Sequence, residues 1–305
     1  MMIKGTYILY KDGEEILRQD NVITKFGKRF ITEFIAGNVP NAKKDIALGI
    51  SRETVNHDNT RLGFEFYRFP ASFGSTNIQT VDGTTTYGVI YKATIPQDVS
   101  GSINELGLYP STRSSSNNYD SKFISDFSSP LIWTTSFGYN ADVDYDNGKI
   151  GDNVLKMSSD QEYFYNIGNF DMSGYSSNDS LKISYYQYAA NLDDITVSFY
   201  TSDSDYYTYS FAPDGVGYNI SEDVLLSSLY GSPVGSPDKS QINKIGIKIN
   251  SSDSNMAYAG MDGLRVNDED TFDPTMGLIS RALITEFVKE AGQPIDIEYR
   301  LNLGF

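Results

Sequence analysis

The chain has no cysteine, one histidine and one tryptophan among 305 residues, and each scarcity closes off some chemistry. Without cysteine there is no disulfide, no thiolate zinc ligand and no thiol nucleophile, while the redox compartment stays open. His57, in NHDNT, is the one imidazole, so a histidine-based triad could use no other residue. Its polar setting is that of an exposed loop residue. No window approaches 18 consecutive apolar residues, so a helical membrane span is not expected. The opening MMIKGTYILYKDGEEI lacks the basic-then-apolar order of a secretory signal, and none is expected there. Phosphate-cradling glycine loops are missing. So is any basic excess: 24 Lys+Arg face 40 Asp+Glu, a net of −16, which excludes a nucleic-acid surface built on clustered cations.

The negative charge is unevenly placed. Residues 1–113 hold 13 Lys+Arg and 12 Asp+Glu, residues 114–270 hold 8 and 23, and residues 271–305 hold 3 and 5. The middle block also carries 16 of the 23 tyrosines. Two near-neutral ends around an acidic, Tyr-, Asn- and Ser-rich middle of domain size predict an inserted domain. The expected organisation is a discontinuous β-rich host at 1–112 plus 272–305, enclosing an insert at 116–270. Polar STRSSSNNYDS (111–121) and acidic DEDTFDP (268–274) would be the linkers.

Local patterns give the elements. GTYILY, Lys11-Asp12-Gly13 and EEILRQDNVI predict a hairpin. Thr24 as N-cap, Phe26, Phe30, Ile31, Phe34 and Ile35 at helical spacing, and Gly37 at the exit predict a helix over about 25–36. KDIALGI, LGFEFYRFPASFG, TTTYGVIYKATIP and SINELGLYP read as strands of a short-stranded host. LISRALITEFVKEAG is compatible with helix or strand. Ile295, Ile297, Tyr299, Leu301, Leu303 and Phe305 alternate with polar residues, a strand whose apolar face must meet the host sheet or a partner subunit. The insert shows strand-like runs between turn clusters (VLKMSS, YFYNIG, SLKISYYQYA, DITVSFYTS, YYTYSFAP, VLLSSLYG, KIGIKINSS, AGMDGLRV), which predicts a β-sandwich or jelly roll. The fold class is therefore mostly β, with one or two helices.

Candidate chemistry sits in the insert. Asp142, Asp144 and Asp146 open like a twelve-residue calcium loop, but Asn147 stands where glycine is needed and Asn153 where glutamate is. A solvated acidic loop is the simpler reading. With 23 acids in the block, some pair will always suit glycoside hydrolysis, so that signal selects nothing. The aromatics are more telling, because rings beside Asp and Asn suit sugars: the ring stacks and the polar groups bind hydroxyls. Trp133, Tyr186, Tyr206 and Tyr207 are the glycan-binding candidates, with core filling as the alternative for each. Alternation in Tyr185-Tyr186-Gln187-Tyr188 requires at least one ring to face out.

NVITKFGKRFITEFIAGN, KDIALGIS, DNTRLGFEFYRFPASFGS and YKATIPQDVSGSINELGLYP, in that order, resemble the N-terminal region of structural proteins of contractile-tailed bacteriophages. The similarity is greatest to T4-like phages of marine cyanobacteria. LISRALITEFVKEAGQPIDIEYRLNLGF resembles the end of the same domain. The insert, through FISDFSSPLIW, SSNDSLKISYYQYAANLDDITVSFY and KIGIKIN…GMDGLRV, resembles jelly-roll modules of the carbohydrate-binding type. These resemblances imply a non-enzymatic virion component at the baseplate, tail fibre or a nearby appendage, made in the host cytoplasm. They also imply other tail proteins as partners and a homo-oligomer, with a trimer favoured and the C-terminal strand as the segment donated to a neighbour. In the insert they imply a structural calcium site at Asp126 and Asp262, and a choice between bracing the particle and binding host glycan. A glycan-degrading enzyme is the third class.

Overall fold

A computed structural model describes residues 2–38, 43–81, 84–111, 122–253, 255–267 and 277–304. The chain forms two compact units, Met1–Asn118 with Thr271–Phe305, and Tyr119–Asp270. Both are built from antiparallel sheet, and the fold is mostly β. The polar linkers inferred at 111–121 and 268–274 fall outside the described residues, apart from Ser111.

The host unit is one nine-stranded sheet. Its order is Glu14–Asp20, Met2–Lys11, Ile295–Gly304, Thr84–Ile95, Glu65–Val81, Lys43–Gly49, Gly101–Ser111, Ser280–Lys289 and Val22–Ile23. The strands are not short, as the sequence suggests, because Glu65–Val81 serves two partners in succession. Residues 65–71 pair with Lys43–Gly49 and residues 72–81 pair with Thr84–Ile95, with a register shift at Gly74. That hinge lets the sheet fold over: the Tyr7 hydroxyl on one half lies 3.1 Å from Ser280 Oγ on the other.

Local signals act as expected in the host. Asp12 and Gly13 take left-handed φ of 53° and 84° in the hairpin turn. The helix runs Lys25–Ile35, and Thr24 Oγ1 accepts from the Gly27 amide at 2.9 Å. Phe30 and Ile31 are buried, while Phe34 and Ile35 at its end are exposed. Ser280–Lys289 is a strand, which resolves the helix-or-strand ambiguity. Leu283 and Phe287 face Glu105 and Ile103, so four residues of one strand span two of its partner and blur the period of two. A buried pair locks this region: Arg281 meets Glu105 at 2.7 Å, and Glu105 also accepts from the Ser51, Gly63 and Phe64 amides. Burial raises the Glu105 pKa despite the cation and amides that oppose it.

Ile295–Gly304 pairs with Met2–Lys11 on one side and Thr84–Ile95 on the other. Both of its hydrogen-bonding edges are used within the chain. This corrects the expectation that it is donated to a neighbour.

The insert packs a seven-stranded sheet on a six-stranded one around a single core. The first runs Asp142–Asp144, Val154–Ser158, Tyr258–Asn267, Ser180–Gln187 and Gly217–Ile220, with Lys122–Ser125 and Val224–Leu225 as short additions. The second runs Pro233–Val234, Tyr206–Phe211, Asp194–Tyr200, Ile242–Asn250, Glu162–Phe170 and Trp133–Thr135. Alternation decides what each strand buries: Ile245, Ile247 and Ile249 enter the core while Lys244 and Lys248 lie on the other face. The run VLLSSLYG is a two-residue strand followed by the helix Leu226–Tyr230, which adds Leu226 and Leu229 to the core.

Candidate functional site

The outer face of the seven-stranded sheet carries an array of partly exposed aromatic and charged groups. Strand register places Tyr218, Tyr186, Gly260, Lys156 and Asp142 side by side in one row across five strands. Directly paired residues share a face, so this row belongs to the side opposite Leu155, Tyr185 and Met261, which fill the core. Gly260 leaves a gap in the row. A Cβ there would lie 2.7 Å from Val154 Cγ2 and 3.3 Å from the Tyr188 hydroxyl oxygen, so the missing side chain is what lets Tyr188 reach across the sheet. Tyr186 meets Tyr188 edge-on at 5.0 Å between centroids. The Lys156 ammonium is held 5.8 Å from the Tyr188 ring and 5.2 Å from the Tyr258 ring.

Hydrogen bonds fix the rim. The Tyr188 hydroxyl donates to Asp144, which also accepts from the Asp146 amide and the Asn147 side-chain amide, each at 2.8 Å. Partial burial pushes the Asp144 carboxyl up, but these bonds outweigh it and hold the pKa below the ordinary value. Burial, then the bond to Asp144, raises the Tyr188 phenol. Asp144 therefore stays ionised and Tyr188 stays neutral, a fixed acceptor and donor at the edge of the platform.

The predicted glycan candidates divide three ways. Tyr186 is half-buried on this face. Tyr206 lies on the outer face of the six-stranded sheet, where its ring meets Tyr200 at 4.6 Å and Lys244 sits 4.6 Å from the Tyr200 ring. Trp133 is a correction: it has no exposed surface, stacks on Phe127 at 4.8 Å and meets Tyr165 at a tilt at 5.4 Å in the core. Tyr207 is the second correction, because alternation sends it inward from Tyr206, onto Tyr230 at 5.3 Å, with its hydroxyl donating to the Pro237 carbonyl. A large ring at an inward register position fills the core first. Tyr218, Tyr258 and Lys156 are not among the candidates that the sequence offers, because long-range strand pairing brings them together. His57 stays outside any site, its Nδ1 2.8 Å from the Ile23 carbonyl oxygen in the host.

The acidic loop after Asp142 is not a twelve-residue calcium loop. Asp142 and Asp144 belong to a strand, and Asn153, at the twelfth position, is buried. The loop instead folds the Lys149 and Ile150 amides onto Asp262 at 3.1 and 3.2 Å, and the Tyr218 hydroxyl donates to the same carboxylate. Burial raises Asp262 to about 7, and the Asp126 charge nearby adds to the rise. Asp126 itself accepts from the Ser128 amide and hydroxyl. The two acids implied as calcium ligands thus lie near enough for Asp126 to act on Asp262. Their fit to calcium is incomplete: the ion takes six to eight oxygens, and no third acid joins them among the described residues.

No family model and no curated protein matches the chain. Among solved structures, the chain is similar to the family 30 carbohydrate-binding module of the Clostridium thermocellum cellulosomal cellulase Cel9D-Cel44B. That match has 13% identity and a TM-score of 0.40, over 50% of this chain and 99% of that one. The family 11 module from Clostridium thermocellum, in complex with a β-1,3-1,4-mixed-linked tetrasaccharide, gives 16% identity and a TM-score of 0.36, over 48% and 95%. The agarase AgWH50C gives 11% and 0.36, and the match spans 50% of this chain but only 25% of the agarase. At these values the likeness carries nothing about ligand or activity.

Proposed function

We propose that the insert is a glycan-binding module and that the host unit is its anchor in a bacteriophage tail. One observation carries the first half: the Tyr218–Tyr186–Gly260–Lys156 row with Tyr188 laid across it. A pyranose stacks its C–H face on a tyrosine ring, and its hydroxyls need donors and acceptors at the ring edge. Asp144, Lys156 and the tyrosine hydroxyls supply both, already oriented by one another, so little ordering is needed on binding. Binding is favoured over hydrolysis because neither Asp144 nor Asp262 is free to act as a proton donor. Asp262 is shut away from solvent, and Asp144 is held by three hydrogen bonds. The tail setting is supported by the resemblance of the host blocks to structural proteins of contractile-tailed phages.

The test is a glycan array with the full chain, followed by titration of any hit against variants. Tyr186→Ala and Tyr258→Ala are each expected to weaken binding at least about tenfold, as hot-spot aromatics do. Tyr206→Ala, on the opposite sheet, is expected to leave it unchanged. Equal loss from Tyr206→Ala and none from Tyr186→Ala would move the site to the other face.

A further inference from the structure

The host sheet has an apolar face that its own core does not cover. On Ile295–Gly304 the inward positions Ile295, Ile297 and Tyr299 are fully buried, yet Leu301 and Leu303, on the same face, are half-exposed. Register carries this uncovered stretch across the sheet: Ile3 pairs with Leu303, Leu303 with Tyr87 and Tyr87 with Ile78. Phe73 pairs with Tyr91 two rows nearer the core, on the same side, and its ring meets Tyr91 edge-on at 6.5 Å. The helix end adds to the region. Phe30 and Tyr91 both lie around the Lys44 ammonium, at 4.7 and 5.8 Å, and Phe34 and Ile35 emerge one turn beyond Phe30.

From this geometry we propose that the face is the contact between two copies of this chain, packed sheet on sheet about a two-fold axis. Three observations select a second copy. Phe73, Ile78, Tyr87, Phe34 and Ile35 are 61%, 66%, 49%, 48% and 67% exposed. At about 150–200 Å² for each large side chain they present roughly 500 Å², before Leu301, Leu303 and Ile3 are added, so the face approaches the ~800 Å² per partner of a standard interface. Charge allows the approach: residues 1–113 and 271–305 sum to −1, whereas residues 114–270 carry −15, so like copies meet best through their hosts. The edge does not compete. The outermost strand Glu14–Asp20 reads EEILRQD, and charged edge strands resist edge-to-edge pairing. A contact of one face with its own copy is isologous and closes as a dimer.

Sedimentation equilibrium of the full chain from about 1 to about 100 µM tests this, a range that covers transient and stable dimers alike. A dimer is expected, and the double variant Ile78→Glu/Tyr87→Glu is expected to raise its dissociation constant at least about 100-fold, with circular dichroism unchanged. Phe137→Glu, on an exposed ring of the insert, is the control expected to leave the dimer intact. Should the double variant misfold, amide exchange on the unmodified chain gives an independent reading. Protection at 86–90 and 301–303 is expected to rise with concentration. A monomer at the top concentration, a trimer, a dimer that survives the double variant, or exchange independent of concentration at those residues would overturn the proposal.

Discussion

Lys44 shows how a single residue can work against the fold that holds it. Its ammonium is nearly enclosed between Phe30 and Tyr91, and burial lowers its pKa to about 8 from 10.5. The unfolded chain therefore holds this proton more tightly between about pH 8 and 10.5, so Lys44 makes stability rise with pH across that window. Below pH 8 it costs about 3 kcal/mol at most, at 1.36 kcal/mol per pKa unit. Lys44→Met keeps most of the volume and removes the charge. Its melting temperature at pH 7 is expected to exceed that of the parent, and the gap is expected to close as the pH approaches 10, read by thermal melts across the range. A melting temperature that falls at pH 7 would show that the ring contacts outweigh the desolvation. Trp133 and Tyr207 teach a related lesson at this scale. Composition marks them as possible platform residues, but each stands at an inward register position, and only the pairing of Trp133–Thr135 and Tyr206–Phe211 reveals it.

At the scale of the element, tight approaches decide what each strand and helix tolerates. Gly27, one turn into the host helix, faces the backbone of Ile279, and a Cβ there would run into that carbonyl. Gly27→Ala gains helix propensity, yet it is expected to destabilise the chain by about 3 kcal/mol, because backbone cannot shift as a side chain can. Denaturant melts of the variant read this directly. The hairpin, the helix and the strand Ile295–Gly304 were legible in the sequence because their signals are local: Asp12-Gly13, Thr24 before a spaced aromatic set, and strict alternation. Ser280–Lys289 was ambiguous because its irregular register breaks the alternation. The tyrosine face was legible only in part. Alternation required at least one ring of Tyr185-Tyr186-Gln187-Tyr188 to face out without saying which, and bringing 156, 186, 218 and 260 into one row takes pairings between residues that lie up to 104 positions apart in the chain (Lys156 with Gly260). No local period encodes them.

At the scale of the whole molecule, charge and architecture run in parallel. The near-neutral unit is the one that carries the uncovered apolar face, and the acidic unit is the one that displays the tyrosine face. Such a division suits a chain that associates through one unit and meets a ligand with the other. If Asp126 and Asp262 hold a calcium ion, millimolar calcium is expected to raise the melting temperature of the full chain by a few degrees over EDTA, since a ligand bound only to the folded state stabilises by mass action. Asp126→Asn is expected to abolish that difference. Identical melts in calcium and EDTA would leave the two acids with the hydrogen-bonding role already visible in the Lys149–Ile150 cap.

The measurement that bears most directly on the central claim is glycan binding by the full chain and by Tyr186→Ala in parallel, with folding of both checked by circular dichroism. Saturable binding of a defined glycan by the parent, lost at least about tenfold in the variant, is the expected result. A folded parent that binds no glycan on a broad array, or a variant that binds as tightly as the parent, would contradict it.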